Sequence, residues 1–186
     1  MHSVKRINEK GAITMLTGQE ILNNIQKGHI EISNFDIKRL NPNSYNLRLM
    51  NKLKYYDYDR YIDSKLDNPM KEIEIPETGL VLQPGVLYIG STIESTYTDK
   101  FVPMLSGRSS IGRLGIDIHK TAGFGDIGFN GKWTLEIAAT IPVKIYPEME
   151  ICQIYFDEPT GDANIMYNGR YQNQSEPVGS RLFLSE

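Results

Sequence analysis

Most of the chain after residue 70 is divided into short apolar segments by proline and glycine. Pro76, Gly79, Pro84, Gly85 and Pro103 each lie between two such segments. These residue types form turns, and runs of about four to eight residues between them suit strands better than helices. The expected strands are residues 71–75, 79–82, 86–92, 100–105, 115–119, 132–139, 143–146 and 150–156, and residues 31–32 and 45–49 are short candidates before them. Many short strands with regular turns predict an all-β fold, that is, a barrel, a sandwich or a jelly roll.

The N-terminal part contains the one helix that the sequence predicts. Thr17 followed by Glu20 is a capping box, and Ile21 and Ile25 then form an apolar face. Gly28 suits the C-terminal cap. We therefore expect a short helix that packs on the sheet.

The two ends of the chain are polar and lack a periodic pattern. Residues 1–14 are expected to be an N-terminal extension, and residues 15–166 form the β domain. Residues 167–186 are expected to be a tail that is flexible unless something orders it.

Composition narrows the chemistry that is available to such a domain. The single cysteine, Cys152, excludes an internal disulfide and is expected to be a small core residue. With only three histidines, a zinc site is not expected, and a net charge of −3 argues against a nucleic-acid partner. No apolar run approaches the ~18 residues of a membrane span, and no signal peptide is evident, so a cytoplasmic protein is expected.

Two glycine-containing clusters could bind a ligand. Arg108, Ser109, Ser110 and Arg113 lie within eight residues and combine guanidinium and hydroxyl donors with glycines. This favours a phosphate cradle, although an ordinary polar turn has the same composition. The second cluster surrounds Asp126 with glycines; Asp126 either faces a ligand or caps its own loop in an Asx turn.

The third feature is Glu136, a carboxylate within an apolar strand. Alternation places Trp133, Leu135 and Ile137 on one face and Glu136 on the other. Either Glu136 faces solvent, or it is partly buried and its pKa rises toward that of a general base. His119 is expected to be a hydrogen-bonded structural residue.

The motifs stand in a fixed order along the chain. NPNSYNLRL (41–49) precedes GRSSIGRLG (107–115), HKTAG (119–123), DIGFNG (126–131), TLEI (134–137) and ICQI (151–154), and GRYQNQ (169–174) closes the series. This ordered set resembles the dCTP deaminase family of the dUTPase superfamily and covers nearly everything after Met15. The resemblance implies a distorted β-barrel or jelly roll, a homotrimer with active sites between subunits, and a tail that closes over the nucleotide.

The resemblance also implies roles for individual residues. Glu136 would be the catalytic base, with Ser109 and Arg113 positioning water, and Asp126 would bind the deoxyribose 3′-hydroxyl and assist hydrolysis at the α-phosphorus. Phe129 would pack on the sugar, and the Ala122 backbone would recognise the base, with Thr134 and Leu135 as further substrate contacts. The phosphate contacts would be Arg108, Ser109, Ser110, Gln153, Tyr167, Arg170 and Gln174. Mg²⁺ would be held through the triphosphate, with no zinc and no protein metal ligands.

The implied reaction is deamination of dCTP to a deoxyuridine nucleotide, which supplies dUMP for thymidylate synthesis. Thr121–Phe124 and Gln153 are more similar to the subgroup that hydrolyses the product on to dUMP and diphosphate. The alternatives are a dUTP diphosphatase without deaminase activity and a non-catalytic nucleotide-binding regulator on the same fold. The family also implies that dTTP inhibits. Three departures stand out. Arg170 replaces a common lysine, Asn46 stands where many relatives have aspartate, and Gly125-Asp126-Ile127-Gly128 replaces an Ile-Asp-Pro-Gly type sequence.

Overall fold

The computed structural model describes residues 14–121 and 123–184. The helices are α1 (Gly18–Gln26) and α2 (Ser109–Gly112), with 3₁₀ turns at Ile37–Arg39 and Leu182–Leu184. The strands are β1 (Thr14–Met15), β2 (Ile30–Ile32), β3 (Tyr45–Arg48), β4 (Lys52–Tyr56), β5 (Met70–Glu74), β6 (Leu80–Leu82), β7 (Tyr88–Thr98), β8 (Val102–Gly107), β9 (Ile116–Asp117), β10 (Asn130–Ala139), β11 (Val143–Ile145) and β12 (Glu150–Glu158).

The strands form two main antiparallel sheets and one small one. The six-stranded sheet has the order β5-β4-β7-β10-β9, and β2 also pairs with β7. The four-stranded sheet has the order β1-β12-β3, and β8 pairs with the other edge of β12. β6 and β11 form a separate pair. The predicted all-β fold is confirmed, and antiparallel pairing of this kind is typical of jelly rolls and barrels.

The predicted helix is α1, and the predicted capping residues, Thr17 and Gly28, lie at its two ends. The Thr17 hydroxyl accepts a hydrogen bond from the Glu20 N–H (3.3 Å), which satisfies one of the free donors of the first turn. At the other end, Gly28 has a φ of +77°, and its N–H donates to the Ile25 carbonyl. The His29 N–H donates to the Asn24 carbonyl, which completes a Schellman motif. Ile21 is fully buried and anchors α1 on the body.

Two further elements of the structure bear on the sequence prediction, one that agrees with it and one that it missed. Residues 55–71 are rich in Tyr, Asp and Lys and lack a clear period, which predicts a long loop or a hairpin. The hairpin is confirmed, because β4 and β5 pair from Lys52↔Glu74 to Tyr56↔Met70. The single helical turn α2 was not predicted, because four residues are too few to show a periodic pattern. Residues 1–13 of the expected extension lie outside the described residues, and Thr14 already pairs with β12.

Strand β10 connects the core to the candidate site. Trp133, Leu135 and Ile137 are buried on one face of the strand, as the alternation predicts. Thr134 and Glu136 lie half-buried on the other face. Because β10 pairs with β7 along its length, these two side chains have a fixed position on a rigid strand.

Candidate active site

A cavity of about 590 Å³ opens beside the outer face of β10. A volume of this size suits a small-molecule ligand. Its walls come from β10, from the loop that precedes β10, and from the tail. Six of the predicted site residues line it, namely Asp126, Phe129, Thr134, Glu136, Tyr167 and Gln174.

The Glu136 carboxylate lies at the wall of this cavity with 28% of its side chain exposed. Its Oε2 accepts a hydrogen bond from the Lys120 N–H (2.9 Å), and His119 Nδ1 lies 3.8 Å from the same oxygen. The His119 imidazole, and next the backbone N–H groups of Lys120 and Thr121, lower the pKa of Glu136, while burial acts in the opposite direction. The expected rise of this pKa was therefore wrong: in the free protein the carboxylate is held ionised.

His119 is not the hydrogen-bonded structural residue that we expected. Both ring nitrogens are buried, and neither has a hydrogen-bond partner among the described residues. The 3.8 Å separation from Glu136 is too long for a hydrogen bond but short enough for electrostatic interaction. The sequence could not show this contact, because it depends on how the segment after β9 returns to β10: the Glu136 N–H donates to the Ile118 carbonyl.

Two further polar atoms at the cavity lack partners within the described residues. They are Thr134 Oγ1 and Gln174 Oε1, both buried. An unpaired buried polar atom is costly, and a ligand that hydrogen-bonds to it removes the cost. The Gln174 Nε2 donates to the Lys132 carbonyl (2.7 Å), which holds the amide in place and leaves its Oε1 without a partner among the described residues.

Aromatic rings form the apolar wall of the cavity. The Phe129 ring packs against Trp133 at 4.9 Å between centroids and against Tyr167 at 5.7 Å. Such a wall suits a sugar or a flat base, and polar groups surround it.

The Asp126 loop is held by its backbone. The Gly125 N–H donates to the Pro103 carbonyl and the Gly128 N–H to the Thr98 carbonyl, both at 2.9 Å. Gly128 has a φ of +90°, which a residue with a side chain rarely adopts. These bonds fix the loop without the proline of the Ile-Asp-Pro-Gly pattern.

Gly125 is required by the ring of Trp133. A Cβ at residue 125 would lie 2.3 Å from Trp133 Cη2, so the indole occupies the space that the isoleucine of the family pattern would need. We expect Gly125→Ala to lower the free energy of unfolding by about 1–3 kcal/mol, the usual cost of overpacking. Urea denaturation measures it. Gly112→Ala is the matched control, since its Cβ would meet nothing within 4 Å; equal stability of the two variants would contradict the steric argument.

The tail is ordered against the cavity within the same chain. The Tyr167 N–H donates to the Ile127 carbonyl (2.8 Å), and the Asn173 N–H donates to the Asn130 carbonyl (2.8 Å). The Lys132 N–H then donates to the Gln174 carbonyl. The tail is thus positioned by the loop of Asp126 and by the first residues of β10.

The predicted phosphate cradle does not line this cavity. None of Arg108, Ser109, Ser110, Arg113 and Gln153, all of which the structure describes, is among the cavity residues. Arg108 precedes α2, Ser109 and Ser110 begin it, and Arg113 follows it. Within one chain, therefore, Ser109 and Arg113 are not brought to the Glu136 cavity.

A polar network that the sequence did not reveal supports the cradle. Arg108 Nη1 lies 3.0 Å from Glu150 Oε2, and this oxygen also accepts from Asn46 Nδ2 (2.9 Å). Gln153 Oε1 accepts from the Ser44 hydroxyl (2.9 Å). Asn46 and Ser44 are buried, so this network holds the Arg108 and Gln153 side chains in fixed orientations.

Three predicted contacts remain to be placed. The Leu135 side chain is fully buried in the core, so a contact of this residue with a ligand would come from its backbone. Ala122 lies outside the described residues. Arg170 is exposed on the tail, where its Nη1 donates to the Arg181 carbonyl (2.6 Å). Residues that the sequence did not single out, Tyr56, Lys120 and Tyr171, also line the cavity.

Among the described residues, no group of three or more histidine, cysteine, aspartate or glutamate side chains is arranged to hold a metal ion. Within the same residues, no helix has the length and apolar character that a membrane crossing requires.

The sequence matches the model of the dCTP deaminase-like family over residues 15–158. This match includes β10, the Asp126 loop and the Arg108 cluster. The chain belongs to the dCTP deaminase-like family. Its relatives include proteins named "dCTP deaminase, dUMP-forming". The protein from Clostridium beijerinckii is 57% identical over 159 residues, which cover 86% of this chain and 91% of the relative.

Other members of the family are similar over comparable lengths. The Leptospira biflexa protein of the same name is 51% identical over 85% of this chain and 90% of its own length. The Cytophaga hutchinsonii protein of the same name is 50% identical over 91% of this chain and 96% of its own length.

A solved structure has the same fold. The crystal structure of 2′-deoxycytidine 5′-triphosphate deaminase from Agrobacterium tumefaciens superposes with a TM-score of 0.63 at 20% identity, covering 80% of this chain. This chain spans about half (49%) of that solved chain, and the likeness concerns the fold alone.

Proposed function

We propose that this protein converts dCTP to dUMP, with release of ammonia and diphosphate. One observation carries the proposal: an ionised Glu136 faces a cavity with unpaired polar atoms and an aromatic wall. Curated relatives at 50–57% identity are named for this reaction. Neither a dUTP diphosphatase without deaminase activity nor a non-catalytic regulator is favoured, because neither would need the ionised Glu136 carboxylate as a base at this cavity.

Deamination needs a base, a proton path and a site for the leaving ammonia. Glu136 removes a proton from water, and the resulting hydroxide attacks C4 of cytosine. The carboxylic acid then delivers this proton to N3. Glu136 next takes the proton of the new C4 hydroxyl and passes it to the amino group, which leaves as ammonia while the C4 carbonyl of uracil forms. The Lys120 N–H holds one carboxylate oxygen during these steps, so that the other can exchange the proton.

The remaining cavity residues would recognise the nucleotide. Thr134 Oγ1 would hydrogen-bond to a polar edge of the base, Gln174 Oε1 would accept a hydrogen bond from a donor group of the nucleotide, and Phe129 would pack on the deoxyribose. Asp126 would bind the 3′-hydroxyl and, in the second step, orient water toward the α-phosphorus. The Ala122 backbone and the Thr134–Leu135 backbone would add contacts to the base.

The triphosphate requires a second copy of the chain. Since Arg108, Ser109, Ser110 and Arg113 do not line the Glu136 cavity of their own chain, a neighbouring copy would supply them. Arg113 and Ser109 of that copy would position the attacking water. A closed ring of such sites is a cyclic oligomer, and we propose a homotrimer. Residues 167–186 would then be the tail that covers the nucleotide.

Mg²⁺ fits this arrangement as a companion of the triphosphate. It commonly binds through substrate phosphates and needs few protein ligands, so the triphosphate would supply most of its ligands. When bound, it would neutralise phosphate charge.

We further propose that dTTP competes for the site, that nucleic acid is not a partner, and that the protein is cytoplasmic.

Ammonia release separates the proposal from its alternatives. Incubation with dCTP and Mg²⁺ is expected to release ammonia. Diphosphate from dUTP without ammonia from dCTP would select the diphosphatase, and tight nucleotide binding without turnover of either substrate would select the regulator.

The pH dependence of the reaction follows from the lowered pKa of Glu136. The base must be ionised, so kcat/KM falls as the pH drops through this pKa, and a lowered pKa moves that fall to more acidic pH, below the usual glutamate value of ~4.3. Replacing His119 by phenylalanine removes the largest cause of the shift, so the acid limb is expected to move to higher pH.

Profiles of kcat/KM for the wild type and His119→Phe test this on the same substrate, whose own titration cancels in the comparison. Circular dichroism across the pH range controls for unfolding. Superimposable acid limbs would show that His119 does not set the pKa of Glu136.

A further inference from the structure

The last part of the tail returns to the β4–β5 hairpin, whose Tyr56 lies at the edge of the cavity. The β4–β5 hairpin contacts residues 175–184, which we call the returning segment. Its Tyr56 hydroxyl accepts a hydrogen bond from the Ser180 N–H (3.0 Å), and Lys52 Nζ lies 3.6 Å from Glu176 Oε2. Pro177 of the segment is buried. The returning segment is therefore docked on the body.

The returning segment in turn holds the part of the tail that lies at the site. Arg170 Nη1 donates to the Arg181 carbonyl (2.6 Å), and the Arg181 guanidinium donates to the Arg170 carbonyl. The Arg181 N–H donates to the Tyr171 hydroxyl (3.0 Å), and its guanidinium lies 5.8 Å from the centre of the Tyr171 ring. Arg181 thus fixes both Arg170 and Tyr171.

These contacts form a continuous path from Tyr56 to Arg170 and Tyr171. Tyr56 anchors Ser180, the next residue is Arg181, and Arg181 orients Arg170 and the cavity residue Tyr171. A guanidinium is planar and rigid, so a hydrogen bond at one edge fixes the orientation of the whole group. A lysine ammonium at residue 170 would act as a point charge and would not need such a contact. The orientation of the Arg170 guanidinium therefore depends on its contacts with Arg181 of the returning segment.

We propose that Tyr56 is a positioning residue, which anchors the returning segment so that the segment holds Arg170 and Tyr171 in place for the nucleotide. The inference rests on the proposed function, since Arg170 can act on a triphosphate only if the chain binds one. Positioning of this kind lowers the cost of ordering the tail when substrate binds, so it affects KM more than kcat.

Tyr56→Phe removes only the anchoring hydroxyl. We expect KM for dCTP to rise about three- to fivefold, the size that loss of one neutral hydrogen bond gives, with kcat within about twofold. Tyr55→Phe is the matched control: it lies on the same strand with its side chain on the opposite face, where it packs on Tyr88. This control is expected to keep the wild-type KM.

Limited trypsin digestion of the nucleotide-free protein provides a second readout. Cleavage after Arg170 and Arg181 is expected to be faster in Tyr56→Phe than in the wild type and Tyr55→Phe, because the returning segment opens more often. Equal KM and equal cleavage in the two variants would overturn the proposal, as would a lower kcat with unchanged KM. If the wild type released no ammonia from dCTP, faster cleavage in Tyr56→Phe would still support the anchor while refuting the proposed function.

Discussion

Glu136→Gln is expected to reduce ammonia release from dCTP by about a thousandfold, the usual contribution of a general base. The amide keeps the size of the side chain and can still face the Lys120 N–H, but it cannot accept a proton from water. Because Glu136 is held ionised in the free protein, its loss removes a group that is ready to act.

Steady-state ammonia release measures this loss, and equilibrium binding of dCTP shows whether the site is intact. Glu74→Gln is the matched control, because Glu74 lies exposed on β5 and outside the cavity residues. The control is expected to behave as the wild type, and dCTP affinity of Glu136→Gln is expected to change by less than about threefold. Full activity of Glu136→Gln would remove the proposed base.

Mixing two inactive variants is expected to restore activity if a neighbouring copy completes the site. Arg113→Ala removes a guanidinium of the phosphate cradle, and Glu136→Gln removes the base at the cavity. Each variant alone should be nearly inactive. In trimers formed at random from equal amounts, a site combines an intact cavity with an intact neighbouring cradle in about a quarter of cases, so about a quarter of the wild-type activity should return.

Co-expression of the two variants with different affinity tags gives the mixed oligomers for assay. Mixing Glu136→Gln with Glu136→Ala is the control, because both lesions lie in the cavity and no combination repairs it. Activity that stays at the level of the separate variants in the Arg113→Ala mixture would show that each chain builds its whole site alone.

Local patterns predicted the parts of the molecule that depend on neighbours in sequence. The Thr17 cap and Gly28 define α1, and the alternation around Glu136 fixes which face of β10 carries it. The ordered motifs indicated the family, which the match over residues 15–158 confirms. These features need only backbone geometry that a few residues encode.

Contacts between distant residues could not be read from the sequence. His119 approaches Glu136 because the segment after β9 lies along β10, so the direction of the pKa shift was misjudged. The contact of Tyr56 with Ser180 joins positions 124 residues apart. Nor does the order of motifs show that the Arg108 cluster lies outside the cavity that Glu136 of the same chain lines.

Chromatography of the nucleotides formed from dCTP tests the central claim most directly. With Mg²⁺ present, we expect dUMP to appear together with equal amounts of ammonia and diphosphate, and with little dUTP at any time. Accumulation of dUTP as the end product would contradict the assignment of the hydrolytic step to this site. Unchanged dCTP would contradict the proposed function as a whole.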